Sequence, residues 1–428
     1  MVKIPPFAVE QWMDEYETTP GVLNISETCA ASISVDQLVL LNRLKTLAPP
    51  PVDFGRAMTY GAIRGSEALR RGIAKTYSED DDDGSPPPDQ VAIQPDDVIV
   101  TQGAIGANYL VFYSLVGPGD HVVCVHPTYQ QLYSVPASLG AEVSLWPLRA
   151  ADGFVPDVAA LEGLIRPNTK MIVINNPNNP TGAVIPRDVL ARIADVARRH
   201  DIILFSDEVY RPLYHSLTIP TSTPPPSALA LGYDRTVVTG SMSKAWALAG
   251  IRVGWLASRD GGILAAAAAA RDYTAISVSQ VDDQIAAYAL GDDVRPQLRA
   301  RNAALARDNL AMLDAFVAEH ARLGLCEWVR PQAGTTAFVR FYRYESDDNN
   351  EGGKGERGRR PVDDVAFCRD LLETTKVMLV PGSRCFGGGG ESGVQDFRGY
   401  VRFGYASETE VLEQALERLG AYVKKHLT

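Results

Sequence analysis

The chain has 428 residues, 46% of them hydrophobic and 22% charged, with a formal net charge of -11. That balance belongs to a soluble globular protein with room for one large core and a second smaller one, and its acidity argues against a nucleic-acid partner. The longest apolar run, ILAAAAAA at 263–270, is too short to span a bilayer. The first residues have no apolar stretch of the kind a secretory leader needs, so no membrane partner is expected. Cys29, Cys124, Cys326, Cys368 and Cys385 are scattered, with no CxxC pair. They predict neither a metal site nor a disulfide framework, and they fit a reducing, cytoplasmic compartment.

Residues 5–17 predict an amphipathic helix with Val9, Trp12, Met13 and Tyr16 on one face. A second helical pattern covers 33–47 and stops before Pro49-Pro50-Pro51. Ser66 and Glu67 open a third helix. The acidic, Pro-rich stretch 78–90 predicts a solvated, mobile insertion. From Val98 to Ala257 short apolar β runs alternate with helices, one of them at 187–199. This pattern predicts a mostly parallel sheet covered on both faces, with ligands at the carboxyl ends of the strands. Residues 262–322 read as helices, including a long one at 293–322. TTAFVRFYRY, VMLVPG and YVRFGYA then read as strands, and 363–374 and 408–426 as helices, giving a second, α+β module. The charged stretch 345–360 predicts a disordered loop, and PGSRCFGGGG at 381–390 a flexible loop over a cleft.

Several motifs fall at strand ends. SMSKAWALAGIRVG, from Ser241 to Gly254, puts a hydroxyl, the Lys244 amine and the Arg252 guanidinium in one segment. An amine can form a Schiff base with an aldehyde, while the other two groups can hold a phosphate. In SDEVY, Asp207 either pairs with a protonated ring nitrogen or caps a helix, and Tyr210 can reach a ring hydroxyl. In NNPNNPTG, Asn179 either shapes a turn or donates to a phenolate oxygen. Gly103, Ala104 and Ile105 open a helix whose N–H groups suit a phosphate. Tyr129 can stack on a flat ring or pack in the core, and Tyr60 is similar. Arg402 lies in an apolar strand and needs an anion, from a substrate carboxylate or an internal Asp.

Taken in order, these motifs resemble the class I/II aminotransferases, which are fold-type-I enzymes using pyridoxal 5'-phosphate. The resemblance runs from about Tyr60 to Tyr405, and NPNNPTG, SDEVY and SxSKxxxxxGxRxG are specific as a set. It implies a large domain over about 46–299 and a small one formed by 1–45 and 300–428. Lys244 would carry the cofactor and shuttle a proton, Asp207 would pair with the pyridine nitrogen, and Asn179 and Tyr210 would bind the ring oxygen. Tyr129 would stack on the ring. Gly103, Ala104, Ile105, Ser241 and Arg252 would hold the phosphate, Arg402 the substrate carboxylate. Tyr60 would reach the neighbouring subunit of a homodimer. Relatives carry LxxGEPDF near the N-terminus where this chain reads LNISETCAASIS, so Glu27, Ala30, Ala31 and Ser32 are expected near the substrate. The implied reaction is transfer of an amino group between an L-amino acid and a 2-oxo acid. The alternative is elimination or ring closure on the same scaffold, as in aminocyclopropane-carboxylate or capreomycidine synthase. No second arginine is identifiable for a distal carboxylate, although Arg340, Arg343 and Arg384 lie near relevant segments.

Overall fold

The computed structural model describes residues 4–78, 92–217, 223–345, 358–388 and 395–428. The N-terminal part contains α1 (Ala8–Tyr16), β1 (Leu23–Asn24), α2 (Val35–Leu40) and α3 (Glu67–Ser78). An alternating stretch follows: β2 (Val98–Gln102), α4 (Gly103–Leu115), β3 (His121–His126), α5 (Gln131–Ser138), β4 (Glu142–Pro147) and α6 (Val158–Leu164). It continues through β5 (Thr169–Asn175), α7 (Arg187–Arg199), β6 (Ile203–Asp207), β7 (Thr236–Ser241) and β8 (Val253–Ser258). Helices α8 (Gly261–Arg271), α9 (Gln280–Ala289) and α10 (Arg295–Arg322) lead to the second module. That module holds β9 (Cys326–Trp328), β10 (Thr336–Glu345), β11 (Gly358–Pro361), α11 (Asp364–Thr375) and β12 (Val377–Met378). It ends with β13 (Val380–Pro381), α12 (Gly382–Phe386), β14 (Tyr400–Gly404) and α13 (Thr409–His426).

The large sheet has the order β2-β8-β7-β6-β5-β3-β4. Only β8 runs against its neighbours, so the carboxyl ends of β3, β5, β6 and β7 lie along one edge. Their side chains are buried on both faces, which suits near-continuous Val/Ile/Leu runs covered by helices. The smaller sheet is antiparallel, in the order β11-β10-β14-β13 with β9 also on β10. Its core includes Phe338, Phe386 and Phe397.

The N-terminal residues join the two modules. Trp12 on α1 donates its indole N–H to the Leu379 carbonyl at 2.9 Å, beside β13. The Ala8 N–H donates to Gln130 Oε1 at 2.8 Å, next to α5. Residues 25–33 form a strap. The Ala30 N–H donates to the Lys244 carbonyl at 3.2 Å and the Ile33 N–H to Ala247 at 3.1 Å. On the other side the Ala31 N–H donates to Ala406 at 2.7 Å, and the Gly404 N–H to Ile25 at 2.8 Å. A methyl group on Gly404 would collide with the Glu27 carbonyl, so this glycine allows the strap to lie against β14.

Three expectations need correction. The helix expected over 33–47 stops at Leu40. Asn42 turns its side chain back to accept the Leu44 N–H at 2.9 Å and donates to the Tyr288 hydroxyl, and Lys45 takes a φ of 54°. The expected loop at 381–390 begins as α12, because Asp364 accepts both the N–H and the hydroxyl of Ser383. Residues 358–360, expected in a disordered loop, pair with β10 as part of β11. The rest of 345–360 beyond Glu345, and all of 78–90 except Ser78, lie outside the described residues.

Among the described residues no helix is long and apolar enough to cross a membrane, and no acidic, His or Cys cluster could hold a metal ion. All five cysteines are free and buried. The close approach at Gly404 makes a specific prediction. Gly404→Ala should cost about 3 kcal/mol, as overpacking against backbone does, and lower the melting temperature by several degrees. Gly250→Ala, with nothing within 4 Å of the added carbon, should leave it nearly unchanged.

Candidate active site

A cavity of about 430 Å³ opens where the carboxyl ends of the parallel strands meet the strap and β14. Its wall contains Ala104, Ile105, Tyr129, Asn179, Asp207, Tyr210, Ser241, Lys244, Arg252 and Arg402. These expected residues therefore come together. Gly103 is just behind them. Tyr60 is 80% exposed and lines no part of its own chain's cavity.

Lys244 Nζ donates to Thr28 Oγ1 at 2.7 Å and lies 3.4 Å from both Glu27 Oε1 and Cys29 Sγ. Burial pulls the lysine pKa down, but Cys29, Glu27, Tyr210 and Tyr129 oppose this and the net shift is upward. Burial pushes the Cys29 thiol up to about 11, and it also raises both tyrosines. The ionised neighbour at neutral pH is therefore Glu27. Burial works against that charge too. The Lys244 ammonium, with hydrogen bonds from Cys29 and the Thr28 N–H, nevertheless holds its carboxyl down at about 2.

Asp207 ends β6. Its Oδ2 accepts Asn108 Nδ2 at 3.0 Å and its Oδ1 the Val209 N–H at 3.1 Å. Asn108 is itself oriented by the Thr239 hydroxyl, which donates to its Oδ1 at 2.7 Å. Burial pushes the Asp207 carboxyl up to about 6 even against these donors. A carboxylate held this way, with no cation bonded to it among the described residues, suits a protonated ring nitrogen.

Ser241, Ser243, Arg252 and the start of α4 form a second corner. No side chain of Gln102 caps α4. Gly103 has φ +71°, and a Cβ there would lie 2.7 Å from Arg252 Nη2. A Cβ on Gly254 would strike the backbone of Gly103. The two glycines thus let the Arg252 segment approach an uncapped helix N-terminus, a cradle for a phosphate. In a third corner Arg402, 3% exposed, donates to the Ser26 carbonyl at 3.0 Å and to Asn179 Oδ1 at 3.3 Å. Its buried Nε has no partner and no carboxylate pairs with it among the described residues, which leaves it free to bind an external anion. A phosphate cradle, a lysine, a buried carboxylate and a ring-sized space between them fit pyridoxal 5'-phosphate.

The strap differs from expectation in detail. Glu27 reaches the wall, together with Ser26, Thr28 and Cys29. Ala31 does not: its N–H is used by Ala406 and its carbonyl by Arg301 Nη1 at 2.9 Å. Ala30 is buried behind Lys244, and Ser32 is exposed outside the cavity. Asn108, Ser243, Thr28, Cys29 and Glu10 were not anticipated. Asn108 had a signal, a lone amide one turn after Ala104 in an apolar helix, hence on the same face. Arg384 pairs with Glu15 at 3.8 Å and stacks on Trp12, and Arg340 lies between Tyr342 and Tyr400. Neither these two nor Arg343 lines the cavity.

Residues 36–419 match the family model for aminotransferase class I and II. The chain is 30% identical over 360 residues to an aspartate aminotransferase of Thermotoga maritima, covering 84% of this chain and 82% of the relative. It is 29% identical over 335 residues to capreomycidine synthase of Streptomyces vinaceus, covering 76% and 75%. The crystal structure of a PLP-dependent aminotransferase from Streptococcus suis superposes with a TM-score of 0.81 at 35% identity, over 99% of this chain and 98% of the other.

The buried Asp207 predicts a pH signature for the cofactor-free protein. Its folded pKa of about 6 lies above the ordinary 3.8. The charged form therefore costs stability, by about 3 kcal/mol once the pH has risen through 6. Asp207→Asn should raise the melting temperature of the cofactor-free protein at pH 8, and that gain should shrink toward zero as the pH falls to 4.

Proposed function

The chain belongs to the aminotransferase class I and II family, and on that premise we propose that it moves the amino group of an L-amino acid to a 2-oxo acid at a site centred on Lys244. It is an enzyme, and its cofactor is pyridoxal 5'-phosphate. When bound, that cofactor supplies an aldehyde for the amine and a ring that takes up the electrons released at the substrate α-carbon.

The observation that carries the reading is that Lys244, Asp207 and Arg402, distant in sequence, face one cavity. Arg252, Ser241, Ser243 and the first N–H groups of α4 would hold the phosphate. Asp207, steadied by Asn108, would keep the ring nitrogen protonated. Asn179 and Tyr210 would face the ring oxygen, and Tyr129 the ring plane. Arg402 would clamp the substrate α-carboxylate, and its contact with Asn179 would tie that clamp to the ring side. Lys244 would carry the cofactor and then move the proton at the α-carbon, a role for which Thr28 Oγ1 holds its Nζ in place.

A homodimer belongs to the same proposal. Phe54, Met58 and Tyr60 expose apolar side chains on a segment whose Ala57 and Thr59 carbonyls accept Gln280 Nε2. Tyr273, 89% exposed, precedes that glutamine by one short loop. Exposed apolar side chains grouped in this way support a surface covered in the working assembly, and Tyr60 would then reach the partner's phosphate. The buried free thiols support a reducing, cytoplasmic setting.

Two measurements test these statements. In single turnover, cofactor-loaded enzyme mixed with an L-amino acid and no oxo acid should lose the absorbance band of the bound aldehyde cofactor, yielding pyridoxamine phosphate and a 2-oxo acid by mass. Return of the band together with a cyclised or eliminated product would replace amino transfer by the chemistry of the capreomycidine synthase relative. Sedimentation equilibrium should give twice the chain's 46.4 kDa; a monomer would remove Tyr60 from the site.

A further inference from the structure

The charges on the cavity wall do not balance once the proposed roles are assigned. Lys244 and Arg252 belong to the cofactor, as does Asp207, and Arg402 to the substrate α-carboxylate. Two charged residues of the wall remain, Glu10 and Glu27, and both are acidic. We propose that the substrate's side chain is cationic, an ammonium or a guanidinium, and that Glu10 and Glu27 select it. This rests on the reading above and adds the substrate class.

Both carboxylates are held in place. Helix α1 is docked by the Ala8–Gln130 and Trp12–Leu379 hydrogen bonds, and Gln130 Nε2 also donates to the Pro6 carbonyl at 2.9 Å. From that helix Glu10 accepts the Tyr129 hydroxyl at 2.9 Å. This puts it beside the aromatic proposed to lie on the cofactor ring. No cation is paired with it among the described residues. Glu27 is fixed by the Thr28 and Cys29 N–H groups, which donate to its Oε1 at 2.6 and 3.1 Å. Lys244 is its one ion-pair partner among the described residues, and that amine is assigned to the cofactor.

The alternatives fit the wall less well. A second carboxylate on the substrate would meet two fixed carboxylates, and Arg340 and Arg384 are committed elsewhere. An apolar side chain would face the Glu10 and Glu27 carboxylates, cover part of their exposed surface and offer no charge to either. A cationic head supplies that charge, and Val9 and Met13 of α1, also on the wall, suit the methylene stem such a side chain carries.

Isothermal titration calorimetry and cofactor absorbance with L-arginine, L-lysine, L-leucine and L-aspartate test this on the loaded enzyme. L-arginine or L-lysine should bind at least about tenfold more tightly than L-leucine, with L-aspartate weakest. Glu10→Gln, which leaves Glu27 and Lys244 untouched, should remove about tenfold of the affinity for the basic amino acid and less than about twofold for L-leucine. Glu27→Gln should act in the same direction, and Glu10→Lys should turn the preference toward L-aspartate. Equal or tighter binding of L-leucine or L-aspartate overturns the inference while leaving amino transfer intact. So does a Glu10→Gln variant that weakens all four alike. If neither L-arginine nor L-lysine perturbs the cofactor band or releases heat, the inference is overturned, whereas the aminotransferase reading falls only if no L-amino acid yields pyridoxamine phosphate in single turnover.

Discussion

A lysine ammonium out of bulk water is the constraint around which this molecule is built. Burial pulls its pKa down, but Cys29 and the Glu27 carboxylate 3.4 Å away oppose this and the net shift is upward. The anion does not come from the large sheet that carries Lys244. It comes from the strap, which is pressed against Gly404 of the small sheet and hydrogen-bonded to the lysine's own backbone carbonyl. The lysine's charge state therefore depends on contact between the two modules. A cofactor aldehyde needs the neutral amine, so occupying the cradle must compete with Glu27 for that nitrogen.

Helix α4 serves the site at two depths. Its first turn offers N–H groups toward the phosphate corner. One turn later Asn108 donates to Asp207, and its own orientation is set by Thr239 on β7 and by Gln131, to which it donates at 3.2 Å. On the proposed reading, the spacing between the phosphate corner and Asp207 follows the rise of one helix. The same economy explains the pair Gly103 and Gly254. Either side chain would separate α4 from the Arg252 segment, opening the cradle and tilting Asn108 away from its carboxylate.

The sheet was legible because its strands are buried on both faces and read as apolar runs, and the motifs at their ends were legible because only a few residue types serve there. Helix α7 falls on the predicted residues, and its buried Leu190, Ile193, Ala194 and Ala197 recur at helical spacing. Helix α2 does not, since its pattern continues past Leu40 while a side-chain hydrogen bond from Asn42 ends it. Local propensity cannot register a tertiary partner such as Tyr288, 246 residues away. Ala31 was misplaced for a related reason. The strap has no periodicity, so nothing in it distinguishes the residues that face the cavity from those that bind Ala406.

Glu10 shows the same limit from the other side. The stripe of Val9, Trp12 and Met13 identifies the buried face of α1, and all three are buried. Periodicity states which face is covered but not by what. Here the covering surface includes Tyr129, 119 residues on, so a carboxylate at the edge of an ordinary amphipathic stripe becomes part of a cavity wall. Because α1 is anchored to Gln130 on one module and to Leu379 on the other, Glu10 is held at the seam between them. Both carboxylates reside on N-terminal residues that touch the two modules, so the proposed side-chain recognition is built from the segment that spans the seam and not from the sheet that carries Lys244.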